Sequence, residues 1–193
     1  MLRRRSRRRR LRRAPATLVL LLIAAVAVSY GDRVGGSGAN GGGGAPGSSG
    51  GSGPTAPTGA ETARVERVVD GDTIRLRGVG PVRLIGVDTP ETYGGRDECF
   101  GPEATRYVEG LLPRGARVRY VVGEDSRDRY GRLLAYLYLR DGASLNHALV
   151  AAGYARTLTI PPNDRYAPTF ERAEEGARRA RHGMWARPGC AGE

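Results

Sequence analysis

From Glu61 onward, apolar and polar positions alternate in short runs separated by turn residues. Val65, Val68 and Val69 mark a first strand over Glu61–Val69, and Asp70-Gly71 is a tight-turn signal. Asp72–Gly78 alternates cleanly, with Ile74 and Leu76 on one face and Thr73, Arg75 and Arg77 on the other. Gly80-Pro81 turns the chain into a third strand, Val82–Val87. Residues 93–100 read as a loop. Gly101-Pro102-Glu103 opens a helix to about Leu112, with proline in its first turn and an acid near its positive end. Ala116–Val122 is a fourth strand and 123–129 a polar loop. A fifth strand follows, with Leu133, Ala135, Leu137 and Leu139 on one face and Arg132, Leu134, Tyr136 and Tyr138 on the other. Helices are predicted over Ser144–Ala152, ended by Gly153, and over about Ala167–Arg181.

Five short strands, a helix after the third and more helix at the end do not make a βαβ repeat. Strands this short need closure to protect their edges. The expected class is mainly β with α (α+β), built on a small five-stranded barrel.

The N-terminal third carries a different pattern. Residues 1–13 hold nine arginines and no acid, and Ala14–Tyr30 is almost wholly apolar. A positive head before such a run predicts a secretory signal or an N-terminal membrane anchor over residues 1–30, with membrane attachment through 14–30 in the second case. Either way the remainder is placed outside the cytoplasm, secreted or membrane-anchored. Residues 31–60, rich in Gly, Ser, Pro and Ala, are expected to be a disordered tether. Residues 61–193 are the folded domain. The formal charge of +11 belongs mostly to the arginine head: 61–193 retains 21 of the 31 arginines and 19 of the 20 acids, a net +2. Whole-domain electrostatics therefore gives no argument for nucleic-acid binding. The chain has no lysine, so its arginine content reflects composition and is not a phosphate signature. Of its two cysteines, Cys99 precedes the first helix and Cys190 lies in the tail. In an exported domain their simplest fate is one disulfide, and without histidine partners they make a poor metal site.

Chemistry-bearing residues gather at strand ends and turns: Asp70 and Asp72, Arg83, Asp88 and Glu91, Tyr130 and Arg132. Read alone, Asp88-Thr89-Pro90-Glu91 is also an ordinary solvated turn. Taken together, these are acids, two arginines and a tyrosine. Oxygen donors suit a hard cation, and an arginine fork matches a phosphodiester. A cation, guanidinium groups and a carboxylate able to place a water serve attack on phosphorus. His147 and His182 read as packed or solvated, and Trp185 as a packing residue. Tyr136 and Tyr138 read equally as barrel surface or base-stacking platforms.

Five segments, in order, resemble the staphylococcal nuclease (thermonuclease) family: Val69-Asp-Gly-Asp-Thr73, Arg83-Leu-Ile-Gly-Val-Asp-Thr-Pro-Glu-Thr92, Phe100-Gly-Pro-Glu-Ala104, Asp128-Arg-Tyr-Gly-Arg-Leu-Leu-Ala-Tyr136 and Asn146–Gly153. The resemblance implies an OB-fold barrel with three helices and Ca²⁺-dependent hydrolysis of DNA and RNA phosphodiesters. It implies that Asp72 and Asp88 ligate Ca²⁺ by carboxylate and Thr89 by its backbone carbonyl, with Asp70 behind them. Glu91 would position or deprotonate the attacking water. Arg83 and Arg132 would clamp the phosphate, and Tyr130 would bond a terminal phosphate. A monomer is expected. A catalytically silent module of the same fold, binding single-stranded nucleic acid or a protein, would be expected to have lost acids or arginines here, and none is missing.

Two departures stand out. Where a member of that family carries two tyrosines, this chain has Leu158-Thr-Ile-Pro-Pro162, leaving Tyr154 and Tyr166 as candidate replacements. Strict alternation also puts Arg83 and Asp88 on opposite faces of one strand, so both reach one site only if that strand twists or breaks near Val87.

Overall fold

The computed structural model describes residues 53–92 and 98–190. The segment expected as signal or anchor, 1–30, and residues 31–52 of the expected tether lie outside the described residues. Among those described, no helix is long and apolar enough to cross a membrane.

In chain order the elements are β1 (Glu61–Val68), β2 (Thr73–Leu76), β3 (Gly80–Leu84), β4 (Gly86–Asp88), α1 (Gly101–Leu111), β5 (Arg117–Arg127), β6 (Leu133–Tyr138), α2 (Leu145–Ala151), β7 (Arg156–Leu158) and α3 (Ala167–Ala180). A short 3₁₀ turn, Gly183–Ala186, follows. Five strands close a barrel in the order β1-β2-β3-β6-β5. The β3–β6 pairing is parallel and the others are antiparallel. With three helices, this is the α+β barrel expected from the sequence.

Cross-strand partners share a face, so the register identifies the interior. Val65 faces Leu76, Ile74 faces Val82, Val82 faces Leu133, Leu84 faces Ala135 and Tyr120 faces Leu137. All are buried. The other face of β6 is buried too. Tyr136 meets the edge of Tyr166 at 4.8 Å between ring centroids, and the Tyr138 hydroxyl lies 3.4 Å from that of Tyr166. Tyr136 and Tyr138, weighed as base-stacking surface, are therefore core residues. Burial, first of all, pushes the Tyr136 hydroxyl up to about 12.

The expected third strand, Val82–Val87, is in fact two. β3 ends at Leu84, Gly86 adopts φ +77°, and β4 leaves the barrel to pair with β7, a strand the sequence pattern did not reveal. An ideal Cβ on Gly86 would lie 2.8 Å from the Phe170 ring, so the turn requires glycine twice over, for conformation and for space. The expected polar loop 123–129 is also corrected: β5 continues to Arg127 with an irregular register between Val122 and Arg127. A turn at Asp128–Arg132 then enters β6.

Asn146 of α2 fastens the β3–β4 break to β6. Its side chain is fully buried, donates to the Ile85 carbonyl at 2.8 Å and accepts the Leu137 N–H at 2.9 Å. The N-terminal side of the domain begins earlier than Glu61: Ala56 N–H donates to the Gly142 carbonyl, and Ser144 N–H to that of Pro54. Cys99 and Cys190 form the expected disulfide, 5.2 Å between Cα atoms. It belongs to a small apolar cluster with Phe100 and Met184, separate from the barrel core.

Candidate active site

Asp72 sits where the Asp70–Asp72 turn enters β2, with its side chain 4% exposed. One carboxylate oxygen, Oδ2, accepts the Thr89 N–H at 3.0 Å and the Thr89 hydroxyl at 3.1 Å. The other, Oδ1, accepts the Thr73 hydroxyl at 3.2 Å and lies 3.0 Å from Arg83 Nε. Asp70 Oδ1 accepts the Asp72 N–H at 3.1 Å. Gly71 allows the two turns to meet, since a Cβ there would stand 2.7 Å from the Thr89 hydroxyl.

The guanidinium of Arg83 spans the β3–β4 break. Its Nη1 donates to the Leu84 carbonyl at 2.7 Å and the Val87 carbonyl at 2.6 Å, and its Nη2 to Asp88 Oδ1 at 2.7 Å. Leu84 lies before the break and Val87 after it. The break thus solves the facing problem: Arg83 and Asp88 reach one another because the chain between them changes direction. With Nε 3.0 Å from Asp72 Oδ1, all three guanidinium nitrogens of Arg83 are engaged.

Arg132 is set by its own turn. Asp128 Oδ1 accepts the N–H groups of Tyr130 and Arg132, both at 2.9 Å, and Asp128 Oδ2 takes Arg132 Nε at 2.7 Å. Arg132 Nη1 donates to the Thr73 hydroxyl at 3.2 Å. A line of contacts therefore runs from Arg132 through Thr73 and Asp72 to Arg83. Thr73 and Asp128 are site residues that sequence reasoning missed, although both lie inside the motifs that drew attention to their neighbours. Tyr130 is 69% exposed, its hydroxyl accepts from Arg129 Nη2 at 2.7 Å, and Arg132 lies 5.5 Å from its ring centre.

Glu91 joins this group through charge and not through contact. Its carboxylate makes no hydrogen bond or ion pair among the described residues, while its N–H donates to Glu98 Oε2 at 2.9 Å. Burial, then the charges of Asp72, Asp70 and Asp88, hold Glu91 above the usual carboxylate range, with Arg83 opposing. Asp88 is raised mainly by burial, with Asp72 and Glu98 adding and Arg83 opposing. Asp70 is raised by burial and by Asp72. These carboxylates repel one another, and Arg83 opposes that charge at both Asp88 and Glu91, joined at Asp88 by Arg156.

A cavity of about 510 Å³ opens beside Arg83 and Arg132, with Tyr130, Leu158, Ile160 and Pro161 on its wall. Tyr154 and Tyr166 do not replace aromatic residues there. Tyr154 stacks on Tyr107 at 4.2 Å, and Tyr166 packs on Tyr136. At the 158–162 segment the wall is aliphatic instead, with Ile160 63% exposed. Ser144 caps α2 by accepting the His147 N–H on its Oγ, and burial lowers the pKa of the His147 ring. His182 is exposed at the end of α3. Neither faces the site residues.

Among the described residues, no three acids, histidines or cysteines gather within ligating range of one point. The donor chemistry still fits a hard cation. Asp72 and Asp88 contact the same guanidinium, only oxygen donors are present, and burial, with neighbouring carboxylates adding, raises Asp88 and Glu91.

A closed barrel with two arginines and a carboxylate cluster at one rim defines an anion-handling OB-type domain. The chain belongs to the family of staphylococcal nuclease homologues, whose model matches residues 81–187. It is 39% identical over 132 residues to Thermonuclease of Staphylococcus intermedius, covering 66% of this chain and 77% of that one. Over 134 residues it is 37% identical to Endonuclease YhcR of Bacillus subtilis (strain 168), covering 63% of this chain and 11% of that much longer protein. Over 131 residues it is 34% identical to Endonuclease YncB of the same organism, covering 65% and 62%.

Proposed function

We propose that this protein is an exported nuclease that hydrolyses phosphodiester bonds of DNA, RNA or both, with Ca²⁺ held by the Asp72 and Asp88 carboxylates and the Thr89 backbone carbonyl. The observation that carries this reading is the linked line Arg132–Thr73–Asp72–Arg83–Asp88 beside an open cleft. The likeness to proteins named Thermonuclease and Endonuclease supports it. The basic head and apolar run of residues 1–30 support export.

The residues divide the work by charge. Arg132, anchored by Asp128, presents its remaining N–H groups to the scissile phosphate and the leaving oxygen. Asp72 and Asp88 would hold the cation, and Arg83, whose guanidinium they contact, would offer its fork to the phosphate. Bound Ca²⁺ would supply positive charge that stabilises the extra negative charge on phosphorus. Glu91 holds or deprotonates the attacking water. Its raised affinity for protons suits a group that must take one and return it. Tyr130 bonds a terminal phosphate from the exposed rim.

Digestion of single-stranded DNA and RNA, with Ca²⁺ or with a chelator, tests this. Ca²⁺-dependent cleavage is expected, and Glu91→Gln or Arg132→Ala lowers it by about 10²-fold or more with the fold intact. Ca²⁺ also raises the melting temperature of the wild type but not of Asp72→Asn. Wild-type rates in both activity variants would refute the site.

A further inference from the structure

Glu91 poses a positioning problem. It lies on an exposed turn, and its carboxylate makes no hydrogen bond or ion pair among the described residues. A group that must place a water needs a backbone that stays put. Among the described residues, the hydrogen bonds to the Glu91 backbone come from Glu98, just before α1. Glu91 N–H donates to Glu98 Oε2 at 2.9 Å, and Glu98 N–H returns a bond to the Glu91 carbonyl at 2.9 Å. Gly101 lets α1 abut the same turn: a Cβ there would stand 2.8 Å from the Glu91 carbonyl oxygen and 2.9 Å from that of Pro90.

The start of α1 is itself fixed from outside. Cys99 follows Glu98 directly and is bonded to Cys190, 91 residues away. Phe100 is held at φ +76°, a costly conformation for a bulky side chain, and is buried against Tyr154 and Met184. From Cys190 the path returns to the site. Its carbonyl accepts Arg156 Nη2 at 3.0 Å, and Arg156 of β7 stands opposite Asp88 of β4. A cavity of about 220 Å³ lies inside this ring, walled by Asp88, Pro90, Glu98, Arg156 and the disulfide.

We propose that the Cys99–Cys190 disulfide and Glu98 are positioning groups for Glu91, which hold its turn against the start of α1 beside Asp88. This rests on the nuclease reading for its catalytic consequence, though not for its geometric one. The disulfide cluster is separate from the barrel core, so opening it releases the turn and leaves the barrel closed.

The test compares the full chain before and after dithiothreitol. Exchange transfers one hydrogen to each cysteine sulfur and oxidises the reagent to its cyclic disulfide. In the reduced protein, kcat on single-stranded DNA falls at least about tenfold while KM holds, since the arginines are untouched. The Glu91 amide loses hydrogen-exchange protection by a similar factor, while Val65, bonded to Ala116 in the barrel, keeps its own. Glu98→Ala, with the disulfide intact, reproduces both effects. Glu98→Gln, whose amide oxygen still accepts the Glu91 N–H, restores them. The proposal is overturned if reduction or Glu98→Ala leaves Glu91 protected and kcat unchanged. Equal loss of protection at Val65 overturns it too, because the disulfide would then be a general stabiliser. Should the oxidised wild type cleave no nucleic acid, the nuclease reading fails, and the exchange comparison still decides the positioning.

Discussion

Replacing Asn146 tests how closely the site depends on one buried amide. The side chain closes two hydrogen bonds, one to the Ile85 carbonyl at 2.8 Å and one from the Leu137 N–H at 2.9 Å, at zero exposure. Asn146→Ala strands a donor and an acceptor where water does not reach. Each stranded group costs about 1–3 kcal/mol, so the expected loss is about 2–6 kcal/mol. That is a large share of the roughly 5–15 kcal/mol by which domains are stable. Asn146→Leu keeps most of the volume and should lose a similar amount, because shape is not the issue. Asn146→Asp keeps the Leu137 bond but turns an anionic oxygen toward the Ile85 carbonyl, and should fare no better. Urea unfolding followed by the single tryptophan, Trp185, and by circular dichroism gives the difference from the midpoint shift at constant slope. The damage should reach the site as well. Ile85 lies between the two carbonyls that hold Arg83, so nuclease activity should fall under conditions where the variant is still folded. A stability loss below about 0.5 kcal/mol in both Asn146→Ala and Asn146→Leu would refute the reasoning, since the stranded groups would then have found other partners.

Two further outcomes follow from the same framework. Gly86→Ala forces a Cβ into the left-handed region and against Phe170, and should cost about 1–3 kcal/mol, read by thermal melting; an unchanged melting temperature would mean that the break does not require glycine. Glu174 braces β7: its carboxylate accepts from Thr157 through both the N–H and the hydroxyl, and from Arg178 at 2.6 Å. Burial raises its pKa, but those bonds outweigh burial and leave it below the usual range. A lowered folded-state pKa contributes stability above the unfolded value, about 4.3, and that contribution fades as pH falls through the folded value. Glu174→Gln should therefore be less stable than the wild type at neutral pH, with the gap closing toward pH 3; a gap that stays constant with pH would contradict this assignment.

Period-two alternation and turn chemistry are local properties, so the chain alone determined the barrel strands, the helix starts at Gly101 and Ser144, and the ordered motifs that name the family. It also pointed to the acids and arginines of the candidate site other than Asp128, because those residues lie in the turns where strands end. Tertiary structure decided how they meet. Gly86 is visible in the sequence, but the need for φ +77° comes from Phe170, 84 residues further on. The three residues of β7 carry too short a pattern to read, and they are a strand only because β4 has left the barrel to pair with them. Tyr136 and Tyr138 alternate as an outer face should, yet that face is core because Tyr166 and α3 lie across it. The line from Arg132 to Asp88 joins three turns up to 60 residues apart, and no local period encodes which side chain bonds which. Local pattern reports what each segment prefers, whereas the site is made of partners, and partners are chosen by packing.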